Sequence, residues 1–323
     1  MTAIHARTTG LATTIEPRRS SFDTLVTKAA ALGPLPFAVV HPCDALSLQG
    51  ALEAARLGLI EPVLVGPRHK VLASAATVGV SIDSLVVEDV PHSHAAATRA
   101  VALARSGRVS ALLKGALHTD ELMAEVVDRE RGMRTERRVS HVFALDVPSY
   151  PKLLFLTDGG ININPDVDAK RDIVQNAIDL ARAVGIATPR VAILSAVETV
   201  NARIVSTIDA AALCKMADRG QIVGGMLEGP LAFDNAVSVA AAATKGIDSS
   251  VAGHADILVV PDLLTGNMLA KQMIYLSGAA SAGIALGARV PIALTSRSDG
   301  IRSRVVSCAL ARLLVGGAPA TAL

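Results

Sequence analysis

Apolar positions along the chain alternate between two rhythms. Short runs of adjacent apolar residues, Phe37-Ala38-Val39-Val40, Val63-Leu64-Val65, Leu85-Val86-Val87 and Ala111-Leu112-Leu113, are separated by Ala-rich stretches with helical spacing, the first around Ala51, Leu52 and Ala55. Continuous apolar runs of strand length suit strands buried on both faces. Regular alternation of such strands with helices predicts an α/β fold with a mainly parallel sheet covered on both sides. In sheets of this kind ligands gather at the carboxyl ends of the strands.

The rhythm changes once. Runs 139–145 and 153–156 are separated only by Asp146-Val147-Pro148-Ser149-Tyr150-Pro151, which predicts two consecutive strands around a Pro-bounded turn. This reads as a crossing between two α/β domains. Residues 21–146 together with 287–323 are expected to form domain I, 147–286 domain II, and 1–20 a disordered tail. Within domain II the alternation restarts: helix 168–184, strand 191–194, helix 209–216, strand 257–260 and helix 267–276. A final strand, carrying Val290, Ile292, Ala293 and Leu294, and a final helix return to domain I, so the loop joining them is expected at an interdomain cleft.

Composition narrows the function. The chain has 323 residues, is 51% hydrophobic, and contains no Trp, two Tyr and five Phe. So few rings leave little for a base-stacking surface. Its net charge of +2 comes from scattered residues, which gives no case for a nucleic-acid or membrane partner. Cys43, Cys214 and Cys308 are far apart and lack metal-ligand spacing, which fits a reduced, cytoplasmic setting. His92 with His94, and His254 with Asp256, have no supporting ligands at suitable spacing, so no metal is expected.

Four loops after expected strands concentrate polar residues. They are Lys114-Gly115-Ala116-Leu117-His118-Thr119-Asp120; Thr157-Asp158-Gly159-Gly160, running on to Asn162, Asn164 and Asp166; Pro261-Asp262, leading to Thr265-Gly266-Asn267; and Thr295-Ser296-Arg297-Ser298-Asp299. The last places a hydroxyl, a guanidinium and a carboxylate at a helix N-terminus, where free N–H groups and the helix dipole attract an anion and Arg297 adds a two-pronged donor. The same residues are also accounted for if Ser298 or Asp299 simply caps the helix and Arg297 lies in solvent. His118 would polarise a carbonyl or bind phosphate, or serve as a structural histidine.

Arranged in this order, the loops resemble the phosphate acetyltransferase and phosphate butyryltransferase family over nearly the whole chain. The segments that carry the resemblance include Gly58-Leu59-Ile60-Glu61-Pro62-Val63-Leu64-Val65-Gly66-Pro67, Gly229-Pro230-Leu231-Ala232-Phe233-Asp234-Asn235-Ala236, Ala255-Asp256-Ile257-Leu258-Val259-Val260-Pro261-Asp262 and Thr295-Ser296-Arg297. Arg137-Arg138-Val139-Ser140-His141-Val142-Phe143 looks most like the acyltransferase portion of proteins that also carry an enoyl-CoA hydratase region.

The resemblance implies two domains of the isocitrate/isopropylmalate dehydrogenase type and a homodimer. It also implies transfer of a short acyl group between CoA and inorganic phosphate, with CoA as substrate and neither metal nor redox cofactor. It makes Ser296 a donor to the CoA sulfur or the tetrahedral oxyanion, Arg297 the phosphate ligand, and Asp299 the nearest candidate for the family's catalytic aspartate, at shorter spacing than in the acetyltransferases. Lys114, His118, Thr119, Asn164, Gly266 and Asn267 are the accompanying substrate-binding candidates. Where many acetyltransferases carry an arginine, this chain has Met123; Arg134 and Arg138 are the nearby cations that would replace it. Two other readings remain open: a CoA or acyl-phosphate binder that lost its chemistry, and a metal- and NAD-dependent β-decarboxylating dehydrogenase.

Overall fold

The protein is described here as a computed structural model covering residues 20–296 and 299–317. The expected tail, apart from Ser20, lies outside the described residues, and so do Arg297 and Ser298.

Helix α1 (Ser21–Ala30) precedes an alternation of β1 (Leu35–Val40), α2 (Ala45–Arg56), β2 (Ile60–Gly66), α3 (Arg68–Val78), β3 (Val86–Asp89), α4 (Ser93–Arg105), β4 (Ala111–Lys114) and α5 (Thr119–Val126). The predicted hairpin follows as β5 (Ser140–Asp146) and β6 (Leu154–Thr157), paired antiparallel. Next come α6 (Val167–Ala183), β7 (Arg190–Leu194), α7 (Val205–Asp218), β8 (Met226–Leu231), α8 (Phe233–Val237) and α9 (Val239–Thr244). The chain ends with β9 (Ile257–Val259), α10 (Leu263–Tyr275), β10 (Ala280–Leu286), β11 (Ile292–Ala293) and α11 (Ile301–Gly317). Asp44, Asp166 and Asp262 cap α2, α6 and α10 by accepting from a backbone N–H three residues on, which satisfies donors the first helical turn leaves free.

All the strands join one eleven-stranded sheet in the order β3-β2-β1-β4-β11-β10-β5-β6-β9-β7-β8. Both flanks are parallel, as expected, but the centre is not: β10 runs antiparallel to both β11 and β5, and β5 antiparallel to β6. The sequence pattern did not reveal β8 or β10. Strand β10 reads Ala-Ser-Ala-Gly-Ile-Ala-Leu and has a single β-branched residue, so local propensity is weak; its long antiparallel pairing with β5 supplies what the side chains do not. Placed in domain II by the expected boundaries, β10 lies between β11 and β5 of domain I.

One face carries a continuous core in which Phe22, Leu48, Val174, Leu213 and Leu310 meet the sheet. The other face carries two separate cores. Leu112, Leu122 and Leu294 belong to the first, under α4 and α5, while Leu145, Leu156 and Met273 belong to the second, under α10. The seam between them falls over β10 and β5, where Gly283 and His141 face each other with no bulky apolar side chain between them.

Candidate active site

The parallel strands β1, β4 and β11 are neighbours, so their following loops lie together. The Gly115 N–H donates to the Val40 carbonyl (2.9 Å) and the Ala116 N–H to the His41 carbonyl (2.8 Å), while His41 Nδ1 lies 3.0 Å from the Ala116 oxygen. The approach is so close that a Cβ on Gly115 would stand 2.5 Å from the Val40 oxygen. His41 has φ 57°, a left-handed conformation that a non-glycine residue adopts only when its surroundings hold it there.

After β11 the chain passes through buried Thr295 to exposed Ser296. The Ser296 N–H donates to Asp299 Oδ2 at 2.7 Å, and the Asp299 N–H returns to the Ser296 carbonyl at 3.2 Å. This closed turn leads into α11 and places the Asp299 carboxylate beside Ser296. Burial pushes the Asp299 carboxyl above its ordinary range, against the Ser296 N–H bond and the charges of Arg304 and Lys114. Lys114 is only 2% exposed and donates to the Thr295 carbonyl (3.3 Å), so it lies beneath the loop, out of solvent. Arg304, absent from the sequence-derived candidates, reaches the same place from α11: Nη1 donates to Thr295 Oγ1 (2.9 Å) and the Lys114 carbonyl (3.3 Å), and Nη2 to the Ser296 carbonyl (3.4 Å).

A second group forms around Asp158. Its buried carboxylate accepts from the backbone N–H groups of Gly160, Ile161 and Asn162 and from the Asn162 amide, folding the loop after β6 around itself. Asn267 donates to the Gly159 carbonyl (3.2 Å), and a Cβ on Gly266 would meet the Asp158 oxygen at 2.8 Å, so both residues dock α10 onto this loop. Arg138 donates through Nε to Asn162 Oδ1 (3.0 Å). His141 joins the two groups: buried at 2% exposure, its ring hydrogen-bonds the Leu294 main chain on one side and packs under Gly160 on the other. Desolvation pushes its pKa down, so at neutral pH it is uncharged.

The remaining candidates are spread around these groups. His118 is exposed at the N-terminus of α5, where its own side chain makes no capping bond; Thr119 is half-buried in the first turn, and the Glu121 carboxylate accepts from the His118 N–H. Arg134 is exposed and bridges Ala288 beyond β10; Asn164 is exposed. Met123, the departure from the acetyltransferase pattern, is 8% exposed and fills the core under α5. A hollow of about 260 Å³ opens against Asp299, with Phe22, Tyr275, Ser281 and Arg302 in its walls. Another, of about 460 Å³, lies far off at edge strand β8.

Among the described residues no group of His, Cys, Asp and Glu is placed to hold a metal ion, and no helix is long and apolar enough to cross a membrane. His92 caps α4 by accepting from the Ala95 N–H, and Asp256 pairs with Lys152.

Residues 92–312 match the family described as phosphate acetyl/butaryl transferase. A phosphate acetyltransferase of Rhizobium meliloti is 61% identical over 91% of this chain and 93% of its own length, and a phosphate butyryltransferase of Clostridium acetobutylicum is 36% identical over 92% and 98%. In fold, the chain is similar to a branched-chain phosphotransacylase from Enterococcus faecalis (TM-score 0.76, 28% identity, 88% of this chain and all of that one). It is also similar, at TM-score 0.52 and 16% identity over 87% of this chain and 99% of the other, to a 4-hydroxythreonine-4-phosphate dehydrogenase from Klebsiella pneumoniae. By its sequence over most of its length, the chain belongs to the phosphate acetyl/butyryl transferase family.

Proposed function

We propose that the protein moves a short acyl group between CoA and inorganic phosphate at the loop joining β11 to α11. The observation that carries this reading is an exposed Ser296 held in one turn with a half-buried Asp299 whose proton affinity burial has raised.

In the direction of acyl-phosphate formation, a phosphate oxygen attacks the thioester carbonyl, the C–S bond breaks and CoA leaves as thiolate. The Ser296 hydroxyl donates to the oxyanion or the sulfur; Arg297 is assigned to phosphate on sequence grounds. Positioning and preorganised donors supply most of the acceleration. In reverse, Asp299 accepts the CoA thiol proton before sulfur attacks the acyl phosphate. Its Oδ2 is engaged by the Ser296 N–H, which leaves Oδ1 for that proton.

The energetics favour this assignment. An ordinary aspartate near ~4 and a thiol near ~8.5 differ by about 4.5 units, so full proton transfer would cost roughly 6 kcal/mol. Desolvation of Asp299 narrows that gap from the carboxylate side. Electrons are not exchanged in this reaction, so CoA is the only cofactor-like participant it requires, and it enters as substrate.

The seam between the two cores, bridged by His141, supports two α/β lobes of the isocitrate/isopropylmalate dehydrogenase type with the substrates in the cleft between them. A homodimer is supported by α10, which turns Leu264, Met268, Tyr275 and Leu276 outward, each about 70–80% exposed. Three free cysteines favour a cytoplasmic setting.

Phosphate-dependent release of CoA thiol from C2 to C6 acyl-CoAs tests the reaction and ranks chain length. CoA binding without phosphate-dependent release at any chain length would overturn the enzymatic reading.

A further inference from the structure

Arg304 is the polar group the reaction above leaves unused. It is 2% exposed in the first turns of α11, and among the described residues its bonds run to three oxygens of other segments instead of a carboxylate. Among the described residues its Nε has no partner. A buried cation without a directly paired anion is costly, and an apolar side chain would fill the same space at lower cost, so packing alone gives no reason for a guanidinium here.

A second feature accommodates it. Gly50 lies inside α2, where glycine destabilises a helix by roughly 0.5–1 kcal/mol relative to alanine. A Cβ at Gly50 would stand 2.5 Å from Arg304 Cδ and 2.9 Å from its Cβ. Helix α2 thus lacks a methyl group where the arginine passes.

We infer that Arg304 is the positioning residue of the reactive loop: threaded past Gly50, its guanidinium fastens Thr295 and Ser296 to the end of β4 and fixes the height at which the Ser296 hydroxyl meets substrate. The inference rests on the acyl-transfer reading of Ser296 and Asp299. The oxygens of Lys114, Thr295 and Ser296 belong to β4 and to the loop after β11, two segments that also meet through main-chain pairing and the Lys114 ammonium. A planar fork can hold several such acceptors at once; a lysine keeps the charge but not the fork.

The charge has a second effect. Among the described residues, the charged groups around Asp299 are Arg304 from α11, Lys114 from β4, and Arg302, which shares its hollow and is itself paired with Asp23; Asp44 from α2 and Cys308 act on Arg304. Arg304 therefore favours the carboxylate form of Asp299 against desolvation.

The test compares Arg304→Lys, Arg304→Met, Gly50→Ala and Gly50→Ala/Arg304→Met by consumption of CoA thiol in the presence of acyl phosphate across pH, with a thermal melt for each. In Arg304→Met, kcat falls about 100-fold with KM values little changed, as for loss of alignment. Its acid limb moves to higher pH, because the cation favouring Asp299 ionisation is gone. Arg304→Lys keeps the acid limb and loses roughly 10-fold in kcat, the size of one charged hydrogen bond. Gly50→Ala lowers kcat alone but not on top of Arg304→Met, where the new methyl still meets the side-chain stem but no guanidinium is left to displace from the loop. A folded Arg304→Met with unchanged kcat and acid limb overturns the inference. Should Arg304→Met fail to fold, an Arg304→Lys enzyme with unchanged kcat does the same. A wild-type protein without phosphate-dependent release removes the underlying reading before any variant is compared.

Discussion

Replacing Asp299 by Asn separates its two roles, because the amide retains an oxygen to accept the Ser296 N–H that the carboxylate accepts at 2.7 Å. The turn therefore persists and only the ability to take a proton is lost. A positioned general base contributes about 100- to 10,000-fold, which is roughly 3–5 kcal/mol of barrier. The environment of Asp299 places the loss toward the upper part of that range, since burial raises its pKa toward that of the thiol and so increases the share of work it can do. The assay is consumption of CoA thiol in the presence of acyl phosphate, with kcat and KM for CoA determined from pH 5 to 9. The wild type loses rate as pH falls through the raised Asp299 pKa, where the carboxyl becomes protonated and cannot accept the thiol proton. The Asn variant shows a kcat lowered at every pH, an unchanged KM for CoA and no such acid limb. An Asn variant with wild-type kcat and a raised KM would move Asp299 from proton transfer to CoA binding.

Two further outcomes follow from other parts of the molecule. His141 is buried with its pKa pushed below 6.5, so the unfolded chain binds its proton more readily; stability falls as pH drops below about 6.5, by up to ~1.4 kcal/mol per pH unit. His141→Gln removes that share, and urea midpoints at pH 7, 6 and 5 that fall in parallel for the two proteins would refute it. If the protein self-associates through the outward stripe of α10, as proposed, Met268→Asp weakens that association by about 30-fold or more; an unaltered mass by light scattering at micromolar concentration would refute this use of the stripe.

The regular parts of the fold were legible because each carries its own signal. The runs at 37–40, 63–65 and 111–113 lie within β1, β2 and β4, and the Pro-bounded turn after Asp146 joins β5 to β6. Strand β10 was not legible, because a strand of small residues is held by its neighbours and leaves no local pattern. The Ser296–Asp299 loop was found from its position after a strand. Arg304 was not, although a sign was available: it falls three residues after Ile301 and one before Val305, on the apolar stripe of its helix, where a charge is out of phase. Lys114, at the end of an otherwise apolar strand, was among the candidates, but its place beneath the loop was not legible, since that depends on Thr295, 181 residues away in sequence. Asp158 lies in one of the four polar loops, but nothing in the sequence signals that its one carboxylate organises four donors.

That 181-residue separation also dictates when the enzyme can first work. Strand β4 leaves the ribosome well before β11 and the arginine that anchors it, and closure of so long an intervening chain is slow compared with local helix formation. Recovery of turnover during refolding thus times the final pairing event and lags behind the return of helical signal. A chain truncated ahead of β11 would keep most of its helices and remain inert.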